Sequence, residues 1–77
     1  MRDKILSILK EIEPEGDFEN SPDFFEEELI DSFGVLTMIT RLEKTFAINI
    51  PSEDITADNF MNLSCIEALL KKICKVG

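Results

Sequence analysis

The sequence contains no histidine, no tyrosine and no tryptophan among its 77 residues. Without histidine, the chain lacks the side chain that most often acts as a general base near neutral pH. A chain of this length buries only roughly 60% of its unfolded surface, which allows one modest core but not a deep cleft as well. We therefore expect a single domain over residues 1–77 that is not itself an enzyme.

Basic residues are also scarce, with eight lysines and arginines against sixteen acidic residues and a formal net charge of −8. Nucleic acids and anionic membranes attract basic surfaces, so neither is an expected partner. Ten of the acidic residues lie between Glu11 and Asp31, a stretch that contains no lysine or arginine. We expect this uneven charge to attract basic partner proteins to the segment before Ser32.

Long apolar runs are absent, and cysteine is rare. No run approaches the roughly 20 apolar residues of a membrane-spanning helix, and the charged start, Met1-Arg2-Asp3-Lys4, is unlike a signal peptide. Cys65 and Cys74 are nine positions apart in one predicted helix, where their side chains point to opposite faces and do not favour a disulfide. These features predict a cytoplasmic protein with reduced cysteines and no membrane insertion.

The apolar residues that are present follow helical spacing. The first helix is predicted to begin near Asp3, a candidate N-cap, and to end before Pro14 and Gly16. Gly34 lowers the helix propensity of the second helix by up to about 1 kcal/mol relative to alanine. The remaining predicted helices run from Asp31 or Ser32 to about Phe46, between Ser52 and Met61, and from about Leu63 to Lys75. Their core candidates are Val35, Leu36, Ile39, Leu42, Phe46, Ile50, Ile66, Leu69 and Ile73.

The segment from Glu15 to Asp31 reads as a long loop. Loops of this length are uncommon in small domains, and apolar residues within it are expected to fix it to the core. These residues are Phe18, Phe24, Phe25, Leu29 and Ile30. No alternation typical of strands is present, so the predicted fold class is all-α. We expect a small four-helix bundle with three longer helices, a short third helix and a long loop between helices 1 and 2.

Ser32 stands where the acidic stretch meets the second helix. The first N–H groups of a helix lack partners within it, and an anion beside them gains roughly 0.3–1 kcal/mol. A hydroxyl there could carry an anionic group, although for an isolated Asp31-Ser32 pair a simple helix cap is the better explanation. Ser32 has no histidine to activate it as a catalytic nucleophile.

Three segments together resemble acyl and peptidyl carrier proteins over nearly the whole chain: Leu29-Ile30-Asp31-Ser32-Phe33, Leu42-Glu43-Lys44-Thr45-Phe46 and Ile48-Asn49-Ile50-Pro51. The resemblance implies that Ser32 carries a 4′-phosphopantetheine arm from coenzyme A, whose thiol holds a thioester-linked cargo. It implies that Asp31 is recognised by a phosphopantetheinyl transferase. The other implied partners of a monomeric carrier are a cargo-loading ligase or acyltransferase and a downstream synthase.

The resemblance also suggests which surface the partner enzymes touch. The candidate partner-binding residues are Glu26, Glu27, Glu28, Phe33, Asp54 and Asp58. Gly34 and Thr37 stand where carriers of fatty-acid synthesis usually have acidic residues, so the chain looks more like free-standing carriers of the D-alanyl, aminoacyl or specialised type. Glu28 stands where such relatives often have glycine. Either it adopts a positive φ at a cost of about 1–2 kcal/mol, or the loop has a different shape here.

Two other interpretations remain open at this point. The residues Asp17, Glu19, Ser21, Asp23 and Glu28 fall at positions 1, 3, 5, 7 and 12 of a calcium-binding loop register. Pro22 occupies the position that requires glycine, which disfavours this reading. The other alternative is an unmodified acidic helical adaptor that docks on a partner through the surface around Ser32 and Phe33.

Overall fold

The computed structural model describes residues 1–74, and the secondary structure in that range is helical, without strands. Four α-helices and one short 3₁₀ helix follow each other as α1 (Arg2–Ile12), α2 (Ser32–Phe46), the 3₁₀ helix (Ser52–Asp54), α3 (Ala57–Phe60) and α4 (Leu63–Cys74). The predicted all-α class and the long connection between helices 1 and 2 are confirmed. The predicted end of the last helix at Lys75 lies outside the described residues.

Two predicted boundaries are wrong. Helix α1 begins at Arg2 with Met1 as its N-cap, so Asp3 lies in the first turn, where a negative charge still suits the helix dipole. The single short helix expected between Ser52 and Met61 is divided into two elements, because Ile55 leaves helical geometry with φ −84° and ψ 82°. The hydroxyl of Thr56 then accepts a hydrogen bond from Asn59 N at 3.3 Å and caps α3.

The core lies between α1, α2 and α4, with phenylalanines from the loop and from α3. Among the predicted core residues of α2, Ile39 and Leu42 are buried, whereas Leu36 is 61% exposed, so its assignment to the core is wrong. Leu36 lies more than about 90° around the helix from the centre of the buried face. The buried apolar residues are Ile5, Ile8, Leu9, Phe18, Phe24, Ile30, Met38, Ile39, Leu42, Ile50, Phe60, Leu63, Ile66, Leu69 and Leu70.

The long loop is fixed to the core, as predicted. Phe18 and Phe24 are fully buried and meet edge to face, with ring centroids 5.0 Å apart. The backbone N–H of Phe24 donates to the carbonyl oxygen of Met61 at 2.6 Å. Asn62 donates from Nδ2 to the carbonyl oxygen of Pro22 at 3.1 Å. Its Oδ1 accepts from Cys65 N at 2.8 Å, so one side chain both caps α4 and holds the loop.

Contacts between side chains and backbone also fix the two ends of α2. Ala47 ends the helix in the left-handed region at φ 53°, and the carboxylate of Glu43 accepts the N–H of Ile50 at 2.8 Å. Arg41 pairs with Glu11 of α1 across the surface. These contacts hold the C-terminal half of α2 to α1 and to the segment that follows the helix.

Candidate functional site

Ser32 is the first residue of α2 and is exposed. Asp31 is the N-cap: its Oδ1 accepts the N–H of Gly34 at 2.8 Å, and its carbonyl oxygen accepts the N–H of Val35 at 2.9 Å. Ser32 and Phe33 come before these two residues in the chain, and their N–H groups lie at the positive end of the helix dipole. The local geometry therefore presents a hydroxyl beside backbone donors that suit an anion.

Close packing behind this turn fixes its position. Gly34 is buried, and a Cβ atom placed on it would lie 2.7 Å from Cγ1 of Ile30 and 3.4 Å from Cγ2 of Ile12. Ile30 is itself buried, with 6% of its surface exposed. Because no side chain intervenes at position 34, the first turn of α2 lies directly on Ile30, and Ser32 faces outward.

A capped helical turn precedes the serine, and we refer to residues 23–29 as the acidic turn. Oδ1 of Asp23 accepts from Phe25 N at 2.9 Å and from Glu26 N at 3.1 Å, which caps the start. At its end, Leu29 N donates to the carbonyl oxygen of Phe24 at 2.8 Å. Glu28 has φ 57°, the left-handed conformation that closes such turns. This settles the alternative left open by the sequence: the loop turns at Glu28 with a positive φ.

The three glutamates of the acidic turn are presented together to solvent. Glu26, Glu27 and Glu28 are all exposed. Within residues 1–74 none of them joins an ion pair, since the three pairs found there involve other carboxylates. Their charge is therefore available to an approaching basic surface.

Two grooves open beside Ser32, and its side chain and that of Phe25 line both. The loop-side groove has a volume of about 600 Å³. It is lined by Ile12, Glu13, Phe25, Glu28, Leu29, Ile30, Asp31 and Ser32. The helix-side groove has a volume of about 430 Å³. It is lined by Phe25, Ser32, Val35, Leu36, Ile55, Thr56 and Ala57, none of which is charged.

Exposed apolar side chains surround the serine. Phe33 is 77% exposed, Leu36 61% and Ile55 38%. Leu36 and Ile55 were not among the candidate site residues. Leu36 could have been found, because it lies three positions after Phe33 on the same outward face of the helix. Ile55 gives no comparable signal, since the turn that brings it to Ser32 depends on the fold.

The remaining candidates are placed farther along the chain and line neither groove. Asp54 is half-buried, with Oδ1 3.4 Å from Nζ of Lys72 on α4. Asp58 is exposed in the first turn of α3. The structure thus brings Ser32, Asp31 and Glu28 together around one groove, while Asp54 is directed towards α4.

The calcium-binding register is not assembled in the structure. Asp17 accepts from Asn20 at 3.1 Å, Asp23 caps the acidic turn, and Ser21 is buried with no hydrogen-bond partner for its hydroxyl within the described part. Among residues 1–74, no three potential ligands from histidine, cysteine, aspartate and glutamate are grouped to hold a metal ion. No helix in that range is long and apolar enough to cross a membrane.

Comparison with known proteins gives two matches. The family model described as "Phosphopantetheine attachment site" matches residues 2–73. A D-alanyl carrier protein of Bacillus velezensis is 31% identical over 61 residues, which cover 77% of this chain and 78% of that protein. No solved structure matches the chain significantly.

Proposed function

This chain belongs to the family of phosphopantetheine-attachment domains, and we propose that it carries a thioester-linked acyl or aminoacyl cargo on an arm attached to Ser32. Members of the family bear a covalent 4′-phosphopantetheine group and act as carriers rather than as catalysts. The observation that supports Ser32 is its position as the exposed first residue of α2. It lies in the carrier-like segment in which the resemblance implies the attachment site.

The residues around Ser32 fit a phosphodiester-linked arm. Ser32 is exposed, and the N–H groups that begin α2 lack partners within the helix and suit an anion such as a phosphate. Two grooves adjoin the serine and offer room for a flexible chain. The volume of each lies within the range that is usual for small-molecule sites. Oδ1 of Asp31 already accepts a hydrogen bond from the N–H of Gly34, which fixes the orientation of the carboxylate at the start of the helix.

Ser32 is a substrate of the modification and not its catalyst. Its Oγ would form the new phosphate ester as the pyrophosphate bond of coenzyme A breaks, with adenosine 3′,5′-bisphosphate as the leaving group. The chain contains no histidine, and we expect a group of the transferase to accept the hydroxyl proton. Asp31 would orient the serine and contact the transferase. Once bound, the arm supplies a thiol that holds the cargo as a thioester.

We favour an aminoacyl cargo, such as D-alanine. The support is the relative from Bacillus velezensis, together with the charge of α2. Glu43 is the only acidic residue of that helix, and its carboxylate is bonded to Ile50 N, so α2 lacks the acidic surface expected of fatty-acid-synthesis carriers. An ATP-dependent ligase would then load the arm, and a downstream acyl-transferring enzyme would remove the cargo.

The proposed partner surface has two parts. The acidic turn, with Glu26, Glu27 and Glu28, would attract basic surfaces, and the exposed ring of Phe33 would supply apolar contact. Asp58 and the half-buried Asp54 would contribute at the edge. We further propose that the chain acts as one monomeric domain over residues 1–77 in the cytoplasm, which fits the free Cys65 and Cys74.

An unmodified adaptor is the second candidate, because the exposed apolar patch of Phe33, Leu36 and Ile55 would also suit a docking protein. Intact mass separates the two functions. The protein and its Ser32→Ala variant are incubated with coenzyme A, magnesium and a broad-specificity phosphopantetheinyl transferase. The carrier gains one phosphopantetheine group and the variant gains none. No gain in folded protein with transferases of different classes would support the adaptor and leave Ser32 as part of a helix start.

A further inference from the structure

The two grooves beside Ser32 differ in chemistry although they share a wall. Phe25 and Ser32 line both of them. The helix-side groove has no charged residue in its lining. The loop-side groove combines an apolar floor from Ile12, Leu29 and Ile30 with the carboxylates of Glu13, Glu28 and Asp31. A flexible arm attached to Ser32 can reach either groove, so the chemistry of its cargo decides which one is favoured.

The carboxylates of the loop-side groove keep free acceptor capacity. Glu13 uses Oε1 to accept from Glu15 N at 3.3 Å, and Asp31 uses Oδ1 to accept from Gly34 N at 2.8 Å. Glu28 is exposed and belongs to no ion pair within residues 1–74. Each carboxylate has further lone pairs, so each can still accept a hydrogen bond from an ammonium group that enters the groove.

The backbone makes this arrangement a fixed feature. The positive φ of Glu28 closes the acidic turn and brings its side chain back towards the start of α2, where Ser32 lies. Asp23 caps the same turn, and Asn62 holds the loop to α4. The groove therefore exists before any cargo is attached, and little ordering entropy opposes its use.

From these observations we propose that the loop-side groove is a resting site for the loaded arm when its cargo carries a free ammonium group, as an aminoacyl thioester does. The inference rests on the proposed attachment of the arm to Ser32. The ammonium contacts Glu13 and Glu28, while the apolar part of the cargo and arm lies against Leu29 and Ile30. An uncharged cargo of the same size has no such preference, because the carboxylates must then lose water without gaining a partner.

Two cargoes of equal shape test this proposal. A broad-specificity transferase attaches D-alanyl-phosphopantetheine or isobutyryl-phosphopantetheine to ¹⁵N-labelled protein from the corresponding acyl-coenzyme A, and the amide spectra of the two forms are compared in the same buffer. The D-alanyl form is expected to shift the amides of residues 12–13 and 28–31 relative to the isobutyryl form. Glu13→Gln combined with Glu28→Gln is expected to abolish that difference.

The control is Glu26→Gln combined with Glu27→Gln, which removes the same amount of charge from two residues of the acidic turn that do not line the groove. The control should retain the D-alanyl shifts. Nuclear Overhauser contacts from the D-alanyl methyl group to Leu29 or Ile30 in the unmutated protein give a second measurement that does not depend on any variant. Identical spectra for the two cargoes, or equal loss in the control pair, would overturn the resting site. Absence of attachment to Ser32 would overturn the proposed function itself, and the intact mass distinguishes the two failures.

Discussion

At the scale of single residues, Gly34 reverses an expectation based on propensity. Alanine is the better helix former by up to about 1 kcal/mol, so the sequence suggests that glycine weakens the start of α2. In the structure a Cβ there would lie 2.7 Å from Cγ1 of the buried Ile30. Overpacking of this kind costs about 1–3 kcal/mol, which exceeds the gain in propensity.

We therefore expect Gly34→Ala to lower the free energy of unfolding by about 1 kcal/mol, measured by urea denaturation. Thr40→Ala on the exposed face of the same helix is the control, and it should be neutral or slightly stabilising because alanine has the higher helix propensity. A Gly34→Ala variant more stable than the parent would show that Ile30 moves aside freely.

At the two non-glycine residues with positive φ, we expect the reverse substitution, to glycine, to be stabilising. Glu28 has φ 57° and Ala47 has φ 53°, a conformation that costs roughly 1–2 kcal/mol for residues with a Cβ. Glu28→Gly and Ala47→Gly should each raise the free energy of unfolding by about 0.5–1 kcal/mol after the greater flexibility of glycine in the unfolded chain is deducted.

Glu27→Gly provides the comparison for this pair, since Glu27 is adjacent to Glu28 and has no positive φ. That variant should lose about 0.5–1 kcal/mol, the usual cost of glycine in a turn that does not need it. Equal effects at positions 27 and 28 in thermal or urea unfolding would contradict the conformational explanation.

Sequence reasoning succeeded for residues whose signal is local. Ser32 was expected at the start of a helix and is found there, and Phe18 and Phe24 were expected to hold the loop and are fully buried. It failed for Leu36 because an apolar residue at the margin of a helical stripe can face either side, and neighbouring elements decide which. The conformation of Glu28 was left as two alternatives, since a left-handed residue has no side-chain signal unless it is glycine. The role of Ser32 as an attachment site stays a prediction.

At the scale of elements, Asn62 joins two parts of the fold, α4 and the long loop. It caps α4 through Cys65 N and holds the long loop through the carbonyl oxygen of Pro22. Asn62→Ala removes both bonds and should cost about 1–2 kcal/mol of stability. Asn62→Asp keeps the acceptor for the cap but loses the donor, so it should cost less.

Amide exchange distinguishes the two bonds of Asn62. Phe24 N donates to Met61 O in the same region, so loosening of the loop should speed its exchange in both variants. The amide of Cys65 should exchange faster only in Asn62→Ala. If both amides respond alike in the aspartate variant, the cap and the loop contact are not separable.

Helices α1 and α4 are linked by an ion pair that depends on pH. Arg2 lies 3.1 Å from Oε1 of Glu67, and its hydrogen bond lowers the pKa of that carboxyl below the ordinary glutamate value. Because the pKa is lower in the folded state, the pair stabilises the protein above the ordinary value of about 4.3 and loses this effect as the pH falls through the folded pKa.

Arg2→Gln should therefore be less stable than the parent near neutral pH, and the difference should disappear in acid. Both residues are partly exposed, so the effect is small. Lys10→Gln, an equal change of charge at an exposed position of α1, should show no such dependence on pH. A stability difference for Arg2→Gln that persists unchanged in acid would mean that it comes from packing of the arginine stem.

At the scale of the whole molecule, the negative charge lies mainly on one side of Ser32. The acidic turn precedes the serine, whereas α2 after it exposes Arg41 and Lys44. Conversion of Glu26, Glu27 and Glu28 to lysine should slow phosphopantetheine transfer by about tenfold or more at low salt, because steering of a basic enzyme is lost. Helical content should change little, and added salt should narrow the difference.

The control for this change reverses Glu15, Glu19 and Glu53, three exposed residues outside the acidic turn. It alters the net charge equally, so a general electrostatic effect would slow transfer to the same degree. The rate of phosphopantetheine transfer, followed by intact mass, distinguishes the two explanations. Only a local docking role makes the rate fall more for the acidic-turn variant than for the control variant.

Composition predicts some properties of the whole molecule and not others. The absence of histidine and the small size gave the expectation of a non-catalytic chain, and the family match supports a carrier. The grooves beside Ser32 could not be predicted, because they form where α1, the acidic turn and the segment around Ile55 meet. Such long-range placement depends on the packing of every element.

The construction of the acidic turn has a consequence for how this protein can evolve. Its shape depends on Asp23, on the buried ring of Phe24 and on the contact with Asn62. Glu26 and Glu27 contribute to it through their backbone N–H groups, whereas their side chains are exposed. Changes of side-chain charge at those two positions would therefore alter the proposed partner surface while leaving the folding almost untouched. The product of a duplicated gene would thus gain a different set of partner enzymes through a few substitutions, without first having to recover lost stability.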